Sequence, residues 1–214
     1  MQIEINTGNR LDVPAAVNGR HFFYKTASLA FNRADCNAVF RGVETLIAEG
    51  GLHPGQIDTF TAKDLKRVDK KAFDAWMRLV KALPASADSP RIVVCEWASP
   101  HVDESYAGTA FLSTVLHTGP VDYVLQTIHT TQGDDRVPRL HTETRVLRRG
   151  DSFVFDPTTP HCAMPKTLDG GHLLVLLQAE LPDEEVADRA RILSECPPLP
   201  DDGDQSDKVF SIFG

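Results

Sequence analysis

Three residues of this sequence have the types and spacing for metal chemistry. His101 and Asp103 stand two apart in His101-Val102-Asp103, and His161 closes the run Gly150-Asp-Ser-Phe-Val-Phe-Asp-Pro-Thr-Thr-Pro-His161. Two imidazoles and one carboxylate can hold one face of a divalent iron and leave the other open, which suits metal-activated oxygen chemistry. An HxD triplet is common by chance, and so is a Pro-His pair after a turn. The specificity lies in their context. The triplet follows a strand-like run, Ile92-Val-Val-Cys-Glu-Trp97, and His161 follows a Gly-Asp turn, the apolar Phe153-Val-Phe155 and a proline-bounded bend.

Such a set needs elements that bring distant segments together, and the second half of the chain supplies strands. After the run at 92–97, strand patterns cover Thr109 to Leu116, Val121 to Thr130, Thr142 to Leu147, Ser152 to Phe155, His161 to Met164 and His172 to Glu180. Turns at His117-Thr-Gly-Pro120 and Gly150-Asp151 separate several of them. Short strands with no helices between them predict an antiparallel sandwich or barrel. Two residues apart on an extended segment, His101 and Asp103 would project to one side. Cys162 would then point away from a site that His161 faces, as a packing residue.

The first part of the chain reads as helical. Asp35 is placed as the cap of a helix reaching about Ala48, with the stripe Val39, Phe40, Val43, Leu46 and Ile47, and Gly50-Gly51 ends it. A second helix starts near Thr61, where Thr61 and Asp64 resemble a capping box. Its stripe runs Leu65, Val68, Ala72, Trp76, Leu79, Val80 and Leu83 until Pro84. The basic residues between 63 and 71 fall largely off that stripe and read as a solvated face. The boundaries are 1–90 for a helical annex, 91–181 for the β core, 182–196 for a C-terminal helix and 197–214 for a flexible tail, all within one structural domain. The apolar Val209-Phe-Ser-Ile-Phe-Gly would dock on the core or on a second subunit, as in a homodimer.

The chain has 214 residues and a net charge of -8, which disfavours nucleic acid as a partner. No apolar run is long enough to span a bilayer. The N-terminus lacks signal-peptide features, and four scattered cysteines without a CxxC pair fit reduced thiols, so a cytoplasmic location is expected.

Trp97-Ala-Ser-Pro-His101-Val-Asp103, the paired strands and the segment Leu147 to His161 together resemble the core of the Fe(II)/2-oxoglutarate-dependent dioxygenases over roughly residues 91–180. The resemblance implies a double-stranded β-helix, a jelly-roll or cupin-like barrel, with the N-terminal helices on its outer face. It also implies Fe(II) held by His101, Asp103 and His161 as the catalytic centre. Oxidation of a small-molecule or peptide substrate would be coupled to conversion of 2-oxoglutarate to succinate and carbon dioxide. That family usually places an Arg or Lys on the last core strand for the co-substrate's far carboxylate, and Leu168 to Gln178 has neither. His172 falls near the expected position. Lys166, Tyr123 and Arg145 are the other candidates.

Two other readings stand beside this one. His141-Thr-Glu143, with His129 and His161, resembles a degraded cupin metal site, which would imply an isomerase or a dioxygenase without co-substrate. A non-catalytic β-barrel that binds a ligand or partner is the other, motivated by the missing basic residue.

Overall fold

The structure, a computed structural model, describes residues 23–26, 31–53, 55–132, 138–167 and 170–182, and for 23–26, 128–132 and 138–143 the backbone alone. The expected C-terminal helix and tail, Cys196 and His21 lie outside these residues. The order is β1 (Phe23–Thr26), α1 (Arg33–Gly50), β2 (Asp58–Phe60), α2 (Ala62–Val68), α3 (Lys70–Lys81), β3 (Asp88–Cys95), β4 (Ala98–His101), β5 (Thr109–His117), β6 (Tyr123–Gln132), β7 (Pro138–Leu147), β8 (Ser152–Phe155), β9 (His161–Pro165) and β10 (Leu174–Pro182).

The strands form two antiparallel sheets, one ordered β1-β8-β5-β10-β3-β2 and the other β4-β9-β6-β7. The pairings are nested. β6 pairs with β7, β5 with β8, β4 with β9 and β3 with β10, as in one long hairpin rolled up on itself. Cross-pairings of β5 with β10 and β6 with β9 close the roll. This is the topology of a double-stranded β-helix, mainly β with a helical annex. β1 and β2 extend the larger sheet at its two edges.

Alternation along the strands explains where each side chain goes. Val93, Cys95, Phe111, Val115, Leu174 and Leu176 face the barrel interior with Tyr123, Leu125 and Phe153. Their neighbours Ile92, Val94, Leu116, Val175 and Leu177 point out and pack under Val39, Val43 and Leu46 of α1, Leu65 of α2, and Trp76 and Leu79 of α3. β10 is therefore covered on both faces, which is why it reads as a nearly continuous apolar run.

Two helix details differ from the sequence expectation. α1 starts earlier, with Asn32 as its cap accepting the Ala34 N–H at 2.8 Å. Asp35 instead pairs with Arg78 of α3 at 2.6 Å. The helix expected from 61 to 83 is two helices, broken at Asp69 (φ −150°, ψ 110°), whose carboxylate accepts from Lys71 N and Ala72 N and so starts α3. The Thr61–Asp64 contact is present, with Asp64 Oδ2 accepting Thr61 N at 2.7 Å. The helices approach closely at Gly42, where an added Cβ would lie 2.7 Å from the Ala72 Cβ. No described helix is long and apolar enough to cross a membrane.

Candidate metal centre

β4 is an edge strand of the smaller sheet, and an irregularity in it aims His101. Ala98 pairs with Ala163 and His101 with His161, so three steps along β4 match two along β9. Ala98 faces the barrel core. In a regular strand His101, an odd number of residues away, would face out, and the extra residue of the bulge turns it back in. Pro100 suits such a place, since an edge bulge needs no N–H there.

His161 sits at the start of β9, after a turn held by its own side chains. Asp156 Oδ1 accepts from Thr158 N at 2.8 Å and Thr158 Oγ1 at 2.6 Å. The same turn anchors the other ligand loop, because the Asp103 N–H donates to the Pro157 carbonyl at 3.0 Å. Asp103 is thus in a loop beyond β4, not on a strand shared with His101. A short 3-10 turn, Glu104–Tyr106, follows it.

The structure brings His101, Asp103 and His161 together, with one potential ligand atom from each lying within 4.8 Å of the others. His101 Nε2 is 4.0 Å from Asp103 Oδ1, and His161 Nε2 is 3.8 Å from Asp103 Oδ2. Both imidazoles are oriented in the same way. His101 Nδ1 lies 2.7 Å from the Ser99 carbonyl and His161 Nδ1 lies 2.8 Å from the Thr159 carbonyl, each two residues upstream. A carbonyl only accepts, so each Nδ1 carries a proton, and in the neutral ring that leaves the Nε2 lone pair directed toward Asp103.

Burial holds the His161 imidazole below its usual range, against the opposing pull of the Thr159 carbonyl and Asp103. The neutral ring is the form a metal needs. The centre is open on one side: the side chains of His101 and Asp103 are 26% and 31% exposed, and that of His161 only 7%. Phe155 closes the inner side, its ring 4.9 Å from His161 and 5.6 Å from Phe111.

These residues fit a divalent metal. Bonds of about 2.1 Å place adjacent ligand atoms roughly 3 Å apart, so the His–Asp separations contract by about 1 Å, and the widest separation by up to about 2 Å, through side-chain rotations. The donor set of two nitrogens and one carboxylate with an open side matches the facial arrangement of non-haem iron sites.

The other residues singled out from sequence are placed elsewhere. The Tyr123 hydroxyl donates to the Glu96 carbonyl at 2.8 Å within the core. It lies four residues along β6 from Thr127, the partner of His161, or about 13 Å at the usual strand rise. Lys166 pairs with Asp122 at 3.4 Å, and Asp122 also meets Arg148. His172 contacts Thr167 Oγ1 at 3.3 Å and lines a cavity of about 790 Å³ with Phe40, Ile47 and His117, away from the triad. Arg145 is exposed, opposite Leu125 in register. Cys162 is buried, with Sγ toward Gln126 Oε1, and Glu104 is exposed. The side chains of His129, His141 and Glu143 lie outside the described set. Their backbone register pairs His129 with His141, and Glu143 with the same Thr127 that pairs with His161.

Two interior residues escaped the sequence reading. Thr127 is buried beside His161, and its Oγ1 has no hydrogen-bond partner among the described residues. Arg91, on the inward face of β3 with Val93 and Cys95, places its guanidinium 4.8 Å from the Tyr106 ring centre and 4.7 Å from that of Phe111. The signal for Arg91 was a lone cation on the apolar inward face of a strand. The strand start at Asp88, six residues before Val94, was needed to see it.

No family model matches the sequence, and no curated protein matches it. Among solved structures, it is similar to the non-heme alpha ketoglutarate dependent epimerase SnoN from nogalamycin biosynthesis, at 17% identity over 77% of each chain and a TM-score of 0.49. The carbocyclase SnoK from the same biosynthesis is similar at 12% identity over 75% of this chain and 79% of that one, with a TM-score of 0.47. A prolyl-4-hydroxylase from Pseudomonas putida is similar at 15% identity over 76% of this chain and 93% of that one, with a TM-score of 0.44.

Proposed function

We propose that this protein is a non-haem Fe(II) oxygenase that uses 2-oxoglutarate to oxidise a small-molecule or peptide substrate. The observation that carries the reading is the matched pair of Nδ1 contacts, to Ser99 and Thr159 carbonyls, which leaves both Nε2 atoms converging on the Asp103 carboxylate. Metal-ligating histidines commonly donate their other ring N–H to a carbonyl, which fixes the tautomer and the aim of the ligating nitrogen.

His101, Asp103 and His161 would hold the iron, which when bound supplies the oxidising chemistry. The chain's part is positioning and exclusion of water. The bend at 156–159 fixes both ligand loops relative to each other through the Asp103–Pro157 contact. Phe155 and Phe111 keep the inner side dry, and the half-exposed side of His101 and Asp103 admits ligands.

Anaerobic titration tests this directly. Fe(II) followed by 2-oxoglutarate should produce a weak visible charge-transfer band, and exposure to air should then yield succinate. Iron binding with neither band nor succinate would overturn the oxygenase reading.

A further inference from the structure

β10 places Leu174, Leu176, Gln178 and Glu180 on the inward face of the barrel, and none of them is a cation. A cation is present one strand away. Arg91 of β3 is directly opposite Gln178, and Gln178 is opposite Ser113 of β5, which is opposite Phe153 of β8. The next row toward the triad is Glu180, Phe111 and Phe155, and Phe155 is the ring that touches His161. Arg91 is therefore one two-residue step deeper in the barrel than the wall of the metal centre.

Its surroundings hold the guanidinium in place. Arg91 Nε donates to Gln178 Oε1 at 3.0 Å and Nη1 to Glu180 Oε1 at 2.6 Å, while Tyr106 and Phe111 flank it. Gln178 is itself held by Ser113 at 3.4 Å. The second amino group, Nη2, has no hydrogen-bond partner among the described residues, although the side chain is only 14% exposed. The facing sheet offers the second open polar atom, the buried Thr127 Oγ1, in register with His161. Buried polar groups without partners are uncommon and costly, and a bound ligand is a physical reason to keep them. Thr127 Oγ1 is such a group beside the triad, and the Arg91 Nη2, which is not buried, stands on the facing sheet about 10 Å across and a row deeper.

We infer that Thr127 and Arg91 form the non-metal part of the ligand site. Thr127 meets the metal-facing end of an oxo acid, and Arg91 receives an acid group at its far end by a charge-assisted contact. The site is thereby selective for a dicarboxylate, with its cation supplied by the first core strand and not the last. This inference rests on the metal reading above.

The experiment compares 2-oxoglutarate with 2-oxopentanoate, which ends in a methyl group where the former has its distal carboxylate. Affinities for the anaerobic Fe(II)-loaded protein are read from the charge-transfer band, beside iron content and melting temperature. The wild type should bind the diacid at least about ten-fold more tightly. In Arg91→Gln that preference should vanish, with the monoacid affinity and iron content unchanged. In Thr127→Val both acids should weaken by about five-fold, while the metal-free protein melts higher because an unpaired buried hydroxyl has been removed. Equal weakening of both acids in Arg91→Gln, or no change, overturns the assignment of Arg91. So does loss of the preference in Arg145→Gln alone. Unchanged affinities in Thr127→Val overturn the assignment of Thr127. A wild type that binds iron but neither acid overturns this site and leaves the metal centre standing, whereas one that binds no iron overturns the metal reading itself.

Discussion

The two sheets of the barrel are built from the same kind of strand and serve different ends. The larger sheet is buried on both faces where β3, β5 and β10 meet, with the barrel core on one side and α1, α2 and α3 on the other. The smaller sheet has no such helical cover among the described residues. It carries His101, His161 and Thr127 on one inward row, and its edge strand β4 is bulged. Stability is concentrated where two faces are covered, and the chemistry is placed where one face is left to other uses. A bulge in β10 or under the helices would disturb two packed layers, whereas in β4 it redirects one histidine.

That contrast can be broken most severely at the helix-backed layer. Trp76 is fully buried between α3 and the sheet. Trp76→Ala should destabilise by about 3–5 kcal/mol in denaturant unfolding, and where the variant still folds it should keep its metal. Loss of metal without loss of stability would contradict the division. Gly42 probes the same layer by overpacking. Gly42→Ala pushes a methyl against Ala72 and Leu65 and should cost about 1–3 kcal/mol. A neutral result would show that α1 and α3 can separate freely.

Smaller effects sharpen the comparison at the rim. Asp64 accepts from the Thr61 N–H and hydroxyl, and the first of these contacts holds its carboxyl below the usual range. A carboxyl with a lowered folded pKa stabilises the protein above the unfolded carboxylate range and loses that contribution as pH falls through the folded value. Asp64→Ala should therefore cost about 1 kcal/mol at pH 7 and less in acid, read from melting at both pH values. An equal cost at low pH would refute the cap's role. Smallest of all is the thiol of Cys95, pushed up to about 12 by burial in the barrel core. It should resist alkylation at pH 8 in the folded protein and react on unfolding. Rapid labelling of folded protein would show that the core opens.

Most core strands were legible because their signal is local. Ser152–Phe155 is bounded by a turn and a bend, and Thr109–His117 is bounded by glycines. Those of β1, β2 and β4 were not read, since three- and four-residue strands owe their existence to a neighbour's open edge. The break at Asp69 was missed because the apolar stripe continues through it, and only the capping geometry reveals it. At the site, the residue types of His101, Asp103 and His161 were enough to nominate them, though the placement of Asp103 in a loop was not foreseen. Thr127 and Arg91 needed the register between strands, which no single segment contains.

If His101, Asp103 and His161 are the metal ligands, iron content shows it most directly. Wild type, Asp103→Ala and Glu143→Ala would be reconstituted anaerobically with Fe(II), freed of excess metal and analysed for iron, with folding checked by circular dichroism. Stoichiometric iron in wild type and Glu143→Ala, with none in folded Asp103→Ala, is the result predicted here. Iron retained by Asp103→Ala and lost from Glu143→Ala would contradict the account and move the site to the other end of the His101–His161–Thr127–Glu143 row.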